Sequence, residues 1–159
     1  MKITVLAVGK IKESFYRQAI AEFSKRLSRY CKLEFVEVAD EKAPEKLSGT
    51  EENQIKDREG ERLLHHIRDT DYVCALAIEG EQLDSVALSK KINQLGVSGK
   101  SSIVFVIGGS LGLSRTVISR ADFLLSFSKM TFPHQLMRVI LLEQVYRCYR
   151  IIQGEPYHK

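Results

Sequence analysis

The sequence predicts an α/β fold built on a mostly parallel sheet with helices on both faces. Short β-branched or apolar runs alternate with segments of helical periodicity, in the order β-α-β-α-β-α-β-α-β-α, the pattern of parallel strands joined by crossover helices. Two of the runs, 72–78 and 103–107, are continuously apolar, as strands buried on both faces are. The chain has 159 residues, which fits a single domain over 1–159 at about 100–200 residues per domain. No internal repeat, low-complexity tract or linker divides it.

Ile3 to Val8 is a β-branched run closed by Gly9 and reads as the first strand. From Lys12 to Tyr30, apolar residues recur as Phe15, Ala19, Phe23, Leu27 and Tyr30, the spacing of an amphipathic helix. Leu33 to Val38 alternates apolar and charged residues, as a strand with one wet face does, and 40–49 is a polar loop containing Pro44. Thr50 opens a very polar helix whose only apolar stripe is Ile55, Leu63, Leu64 and Ile67. After the strand at 72–78 comes a helix from Ser85 to Leu95 closed by Gly96, then the strand at 103–107 running into Gly108-Gly109-Ser110-Leu111-Gly112. Ser114 suits the N-cap of a short helix through Arg120. Phe123 to Phe127 forms the last strand, and Pro133 suits the first turn of a helix that runs to about Gln153. That helix is apolar nearly all the way round, which calls for cover on most sides and points to a homodimer.

Composition excludes several classes. No apolar run approaches the roughly 18 residues of a membrane span, and the N-terminal apolar stretch lacks a cleavage site. The three cysteines, Cys31, Cys74 and Cys148, are too widely spaced for a disulfide framework or a C-x-x-C site, which places the chain in the reducing cytoplasm. No His/Cys/Asp/Glu group has metal-ligand spacing. The formal net charge of +4 permits nucleic-acid binding without requiring it. Its distribution says more. Lys10, Lys12, Arg17, Lys25, Arg26, Arg29 and Lys32 crowd the first third, while the acidic residues gather between Glu34 and Glu61.

Chemistry-bearing motifs concentrate in the last third. Gly99-Lys100-Ser101 imitates the end of a P-loop, but the upstream glycine is replaced by Gln94 and the segment precedes a strand. Gly108 to Gly112 matches G-x-S-x-G between a strand and a helix, with Asp122 and His134 following in hydrolase order. Against a serine hydrolase using Ser110 stand the short chain and the closeness of His134 to Asp122. The alternative is a glycine loop that lets a ligand approach the backbone at a strand end. Phe127-Ser128-Lys129-Met130-Thr131-Phe132-Pro133 places aromatics, a Met and hydroxyls between a strand and a buried helix, a composition suited to a flat heterocycle such as adenine.

These residues resemble a known family. Phe105 to Gly112, Leu125 to Gln135 and the tail Glu155-Pro156-Tyr157-His158-Lys159 are similar to the ribosomal RNA large-subunit methyltransferase H family, within the SPOUT class of knotted methyltransferases. The resemblance runs from Met1 to Lys159. It implies a C-terminal trefoil knot over about 72–159, S-adenosylmethionine as methyl donor, a homodimer, and N3 of a pseudouridine in 23S rRNA as acceptor on an assembled ribosome. Carried over by position, the donor pocket comprises Leu76, Gly108, Phe127, Ser128, Lys129, Met130, Thr131 and Phe132.

Pseudouridine N3 carries a proton between two carbonyls and must lose it to attack. Imidazole is the side chain best suited to take a proton at neutral pH, which nominates His158. Lys159 or Arg138 would stabilise the developing anion, and Tyr157 would hold the base. The rival reading is a non-enzymatic ribosome-binding or assembly factor using the same basic surface.

Overall fold

The computed structural model describes residues 1–159. Ten elements follow in strict alternation: β1 (Lys2–Val8), α1 (Ser14–Leu27), β2 (Lys32–Val38), α2 (Gly49–Leu64), β3 (Tyr72–Gln82), α3 (Ser85–Val97), β4 (Ser102–Ile107), α4 (Arg115–Arg120), β5 (Phe123–Ser126) and α5 (His134–Ile152). The five strands form one sheet in the order β2-β1-β4-β3-β5, and every pairing is parallel. The fold is therefore the expected α/β architecture.

Because side chains alternate along a strand, each strand feeds both faces. Ile3, Val5 and Ala7 of β1 and Ile103, Phe105 and Ile107 of β4 point to the face covered by α1, α3 and α5. Leu6, Val8, Val104 and Val106 point to the face covered by α2 and α4. The helix starts are written in the sequence: Ser48, Asp84 and Ser114 accept from the backbone N–H three residues on, at 3.2, 2.7 and 3.3 Å.

Several expectations shift on contact with the fold. α1 turns the expected stripe inward from Ala19 onward, with Tyr30 beyond its end also packed on the core, but not at Phe15. Ile20, Phe23 and Leu27 join the core, while Phe15 is 60% exposed. α3 does not close at Gly96 but continues to Val97, and the chain reverses at Gly99, where φ is +91°. α2 buries Glu59 and Gly60 beside Ile55 and Leu63. A Cβ on Gly60 would meet Ser114 Oγ at 2.4 Å, so the glycine allows α2 to approach α4. β3 runs four residues beyond Ile78, with a register shift between Leu76 and Glu81 that re-pairs its end with β5. There Gly80 lies against Leu124, and a Cβ would come within 2.7 Å of the Leu124 carbonyl.

α5 sits between α1 and α3, with contacts to both. This accounts for most of its apolar circumference within one chain, where the sequence had suggested cover by a second copy. The sheet covers Leu141, Leu142 and Val145, and the two neighbouring helices cover the flanks. A half-buried stripe at helical spacing remains, Leu136, Val139, Ile140 and Glu143.

Candidate active site

The C-terminal ends of β3, β4 and β5 open onto a cleft of about 590 Å³, within the size range of small-molecule sites. Open parallel sheets place ligands at this edge, where loops leave the strands and backbone groups are free. Leu76 and Leu125 lie at its floor, the glycine loop after β4 forms one wall, and the segment after β5 forms the other. Gly108 has no room for a side chain, since a Cβ would sit 2.9 Å from the Gly112 carbonyl carbon. Gly112 itself has φ of +90°, a conformation other residues rarely adopt.

Of the residues expected at the donor pocket, Leu76, Gly108, Phe127, Ser128, Met130, Thr131 and Phe132 line the cleft. Lys129 does not; it is exposed, outside the lining. The loop is shaped by its own hydroxyls. Ser126 Oγ donates to the Ser128 carbonyl at 3.1 Å and Ser128 Oγ accepts from the Met130 N–H at 3.0 Å. Residues 127–132 make no backbone–backbone hydrogen bond, so apart from the Ser128 carbonyl and the Met130 N–H their peptide groups are left for a ligand.

The cleft also holds two charged groups that the sequence did not single out. Lys56 from α2 and Glu79 from β3 reach the lining, and neither enters a salt bridge. Glu59, one turn on from Lys56, is 5% exposed. It accepts from the Glu41 N–H at 3.0 Å beneath Gly109, and burial holds its carboxyl above the ordinary carboxylate range. His134 lines the far wall with a buried Nδ1 that has no partner. Burial, then the charge of Arg138, pushes its imidazole below its ordinary value.

Arg138 is not available to an acceptor, contrary to expectation. It is 1% exposed and outside the cleft lining. Its guanidinium donates to Glu37 Oε2 at 2.6 Å and to the Val8 and Gly9 carbonyls at 2.9 and 2.8 Å. It ties the end of β1 to α5. The hydrolase constellation is absent as well. Ser110 is exposed, Asp122 accepts from the Val73 N–H at 2.8 Å and pairs with Arg120, and His134 Nδ1 bonds neither.

The tail folds back on α5. Tyr157 meets Tyr146 edge-on at 4.9 Å between ring centres and lies under the Arg147 guanidinium, and its hydroxyl donates to Glu143 at 3.2 Å. Arg147 Nη1 stands 3.1 Å from His158 Nδ1, and Arg150 donates to the Pro156 carbonyl at 2.8 Å. Arg147 was not expected at the site. Its signal in the sequence is the Glu143–Arg147 pair, i and i+4 on an otherwise apolar helix. The structure brings Tyr157 and His158 together but keeps them from the cleft of their own chain. His134 and Arg147 are thirteen positions apart on α5, about 20 Å at 1.5 Å per residue.

The family model described as a predicted SPOUT methyltransferase matches residues 1–158. The chain belongs to this family. It is thus a methyltransferase, and the family implies S-adenosylmethionine as methyl donor. Over the full length of both proteins it is 66% identical to "Ribosomal RNA large subunit methyltransferase H" of Bifidobacterium adolescentis. It is 55% identical to the protein of the same name from Clostridium kluyveri, again over both full lengths. Among solved structures, a probable methylase family protein from Haemophilus influenzae matches with a TM-score of 0.55 at 11% identity, covering 99% of this chain and 70% of that one. That likeness speaks to the fold alone. The methyltransferase's cleft suits the donor's parts. Phe127, Phe132 and the unbonded peptide groups of 127–132 fit an adenine, and Lys56 and Glu79 offer opposite charges to a zwitterionic amino-acid end.

Proposed function

We propose that this enzyme methylates N3 of a pseudouridine in large-subunit rRNA. It acts as a homodimer in the cytoplasm, with the assembled ribosome as substrate. The relatives' names support the rRNA acceptor. The observation that carries the dimer is the separation between the cleft and the tail along α5. In an isologous dimer whose two-fold axis crosses α5 at right angles, the two copies of α5 run antiparallel, which brings the tail end of one beside the cleft end of the other. The half-buried stripe from Leu136 to Glu143 offers the contact. The knot over 72–159 belongs to the same reading, and membership of the SPOUT family supports it.

The donor, when bound, supplies an electrophilic methyl group on a sulfonium. Phe127 to Phe132 and Gly108 hold it in place, and positioning supplies much of the acceleration in such a displacement. At the acceptor side, Arg147 carries only hydrogen-bond donors, so His158 Nδ1 accepts from it and the ring hydrogen sits on Nε2. His158 is then a donor rather than the proton acceptor that the sequence suggested, so the N3 proton passes to solvent water before the attack, and the electron pair of the broken carbon–sulfur bond returns to sulfur. Its Nε2–H and the Lys159 ammonium face the carbonyl oxygens that flank N3 and stabilise the anion. Tyr157 holds the base. The deciding experiment is transfer of a labelled methyl group to 70S ribosomes, free 50S subunits and naked rRNA. Label at a pseudouridine of 70S ribosomes is expected; label in none of the three overturns the reading.

A further inference from the structure

We propose that Phe15, flanked by Lys10, Lys12 and Arg17, is a stacking platform for a nucleotide next to the acceptor base. The inference rests on the rRNA reading above and names a contact for the same substrate.

Phe15 is the most exposed phenylalanine of the chain, at 60%. Its one ring neighbour is Tyr16, 4.4 Å away and tilted by 54°. α1 does not need Phe15 for packing, because Ile20, Phe23 and Leu27 supply the inward stripe. A single exposed apolar side chain is ordinary in itself; what sets Phe15 apart is where it stands.

Its position gives it a use. The loop before α1 is clamped to the start of α5. The Ile11 N–H donates to Glu37 Oε2 at 3.2 Å, the Lys12 N–H donates to Gln135 Oε1 at 3.3 Å, and Arg138 holds the Gly9 carbonyl. Arg17 Nη1 closes the turn by donating to the Ile11 carbonyl at 3.3 Å. Gln135 follows directly on Pro133 and His134, which line the donor cleft. Phe15 is therefore carried three residues from a point fixed to the cleft wall.

The charges favour RNA over a protein partner. Lys10, Lys12 and Arg17 enter no salt bridge, and the acidic groups near them are Glu13 and Asp40, also outside any salt bridge, and Glu37, already paired with Arg138. An excess of unpaired cations in the loop and first turn that carry one bare aromatic matches a phosphate backbone with an unstacked base. Cores of protein interfaces are depleted in lysine. A base brought into the cleft for methylation leaves its neighbour without a stacking partner, and an aromatic face replaces it. Phe15 has no hydrogen-bonding group, so it binds without reading sequence and takes no part in the chemistry.

The test compares F15A and F15W with the wild type in methyl transfer to ribosomes, alongside calorimetric donor affinity and sedimentation. The expected result for F15A is a KM for ribosomes about tenfold higher, as loss of one base–aromatic stack gives. Its kcat and donor affinity stay unchanged, and F15W restores the KM. An unchanged KM in F15A overturns the platform alone. A change of oligomeric state in F15A also overturns it, because Phe15 would then be covered by a second copy. A wild type that transfers no methyl to RNA overturns the rRNA reading and the platform together.

Discussion

The guanidinium of Arg147 and the imidazole of His158 meet at 3.1 Å, at the opposite end of α5 from the donor cleft. The pair fixes which imidazole nitrogen bears hydrogen and ties the end of the tail to a helix rather than leaving it to fray. Either the tail works on another molecule's cleft or it has no part in transfer, and the two cases separate by experiment.

Deleting residues 157–159 is expected to abolish transfer and leave calorimetric donor binding intact. G108V is expected to abolish donor binding, because Gly108 has no room for a Cβ against Gly112. Refolded together, the two inactive variants should recover about a quarter of wild-type activity. Random pairing makes half the dimers mixed, and each mixed dimer holds one complete site. No recovery would exclude a tail that acts across the dimer.

Lys56 is predicted to recognise the donor's carboxylate. K56A should weaken S-adenosylmethionine and S-adenosylhomocysteine by about ten- to a hundredfold, as loss of a charge-assisted hydrogen bond does. Methylthioadenosine lacks the amino-acid end, and its affinity should not change. Equal losses for all three ligands in calorimetry would show instead that Lys56 shapes the glycine loop.

Glu59 links pH to stability. Burial raises its carboxyl in the folded chain, so the protonated form is the one the fold prefers. Its contribution is full below the titration of an unfolded glutamate and is lost as pH rises through the folded value. E59Q should therefore have a higher urea midpoint than wild type at pH 7.5, with the difference vanishing below about pH 4. A lower midpoint at pH 7.5 would mean that the ionised carboxylate, through its bond from the Glu41 N–H, holds the fold.

Gly80 tests the β3–β5 passage. The atoms that a Cβ would meet are backbone, which does not yield as a side chain does. G80A should cost about 2 kcal/mol, as overpacking does, and weaken donor binding because Ile78 and Glu79 beside it line the cleft. A wild-type urea midpoint in G80A would show that the two backbones are not so close.

The strands were legible because buried parallel strands are written as uninterrupted apolar runs. The cleft was legible because Gly108 to Gly112 and Phe127 to Phe132 are improbable as mere connections. Phe15 reads as core because it lies four residues before Ala19 and eight before Phe23, and spacing does not reveal that the core ends short of the helix's first turn. Arg138 looked like a free cation because nothing local reveals that its partners are carbonyls of β1, more than a hundred positions away. Glu59 and Gly60 were hidden in a polar helix whose close approach to α4 only the folded chain shows. Gly96 reads as the close of α3 because composition does not carry φ, and the left-handed glycine is Gly99.

The place of β1 in the sheet bears on how the chain reaches its native state. The strand is buried along its length from Ile3 to Val8, yet one of its two neighbours is β4, with Lys2 opposite Ser102. A nascent chain exposes this apolar ribbon, with one unsatisfied edge, until two-thirds of the protein has followed it. Such long-range pairing slows folding and leaves partly folded chains prone to aggregate. Synthesis rate and chaperone supply, rather than final stability, then set the yield of native enzyme.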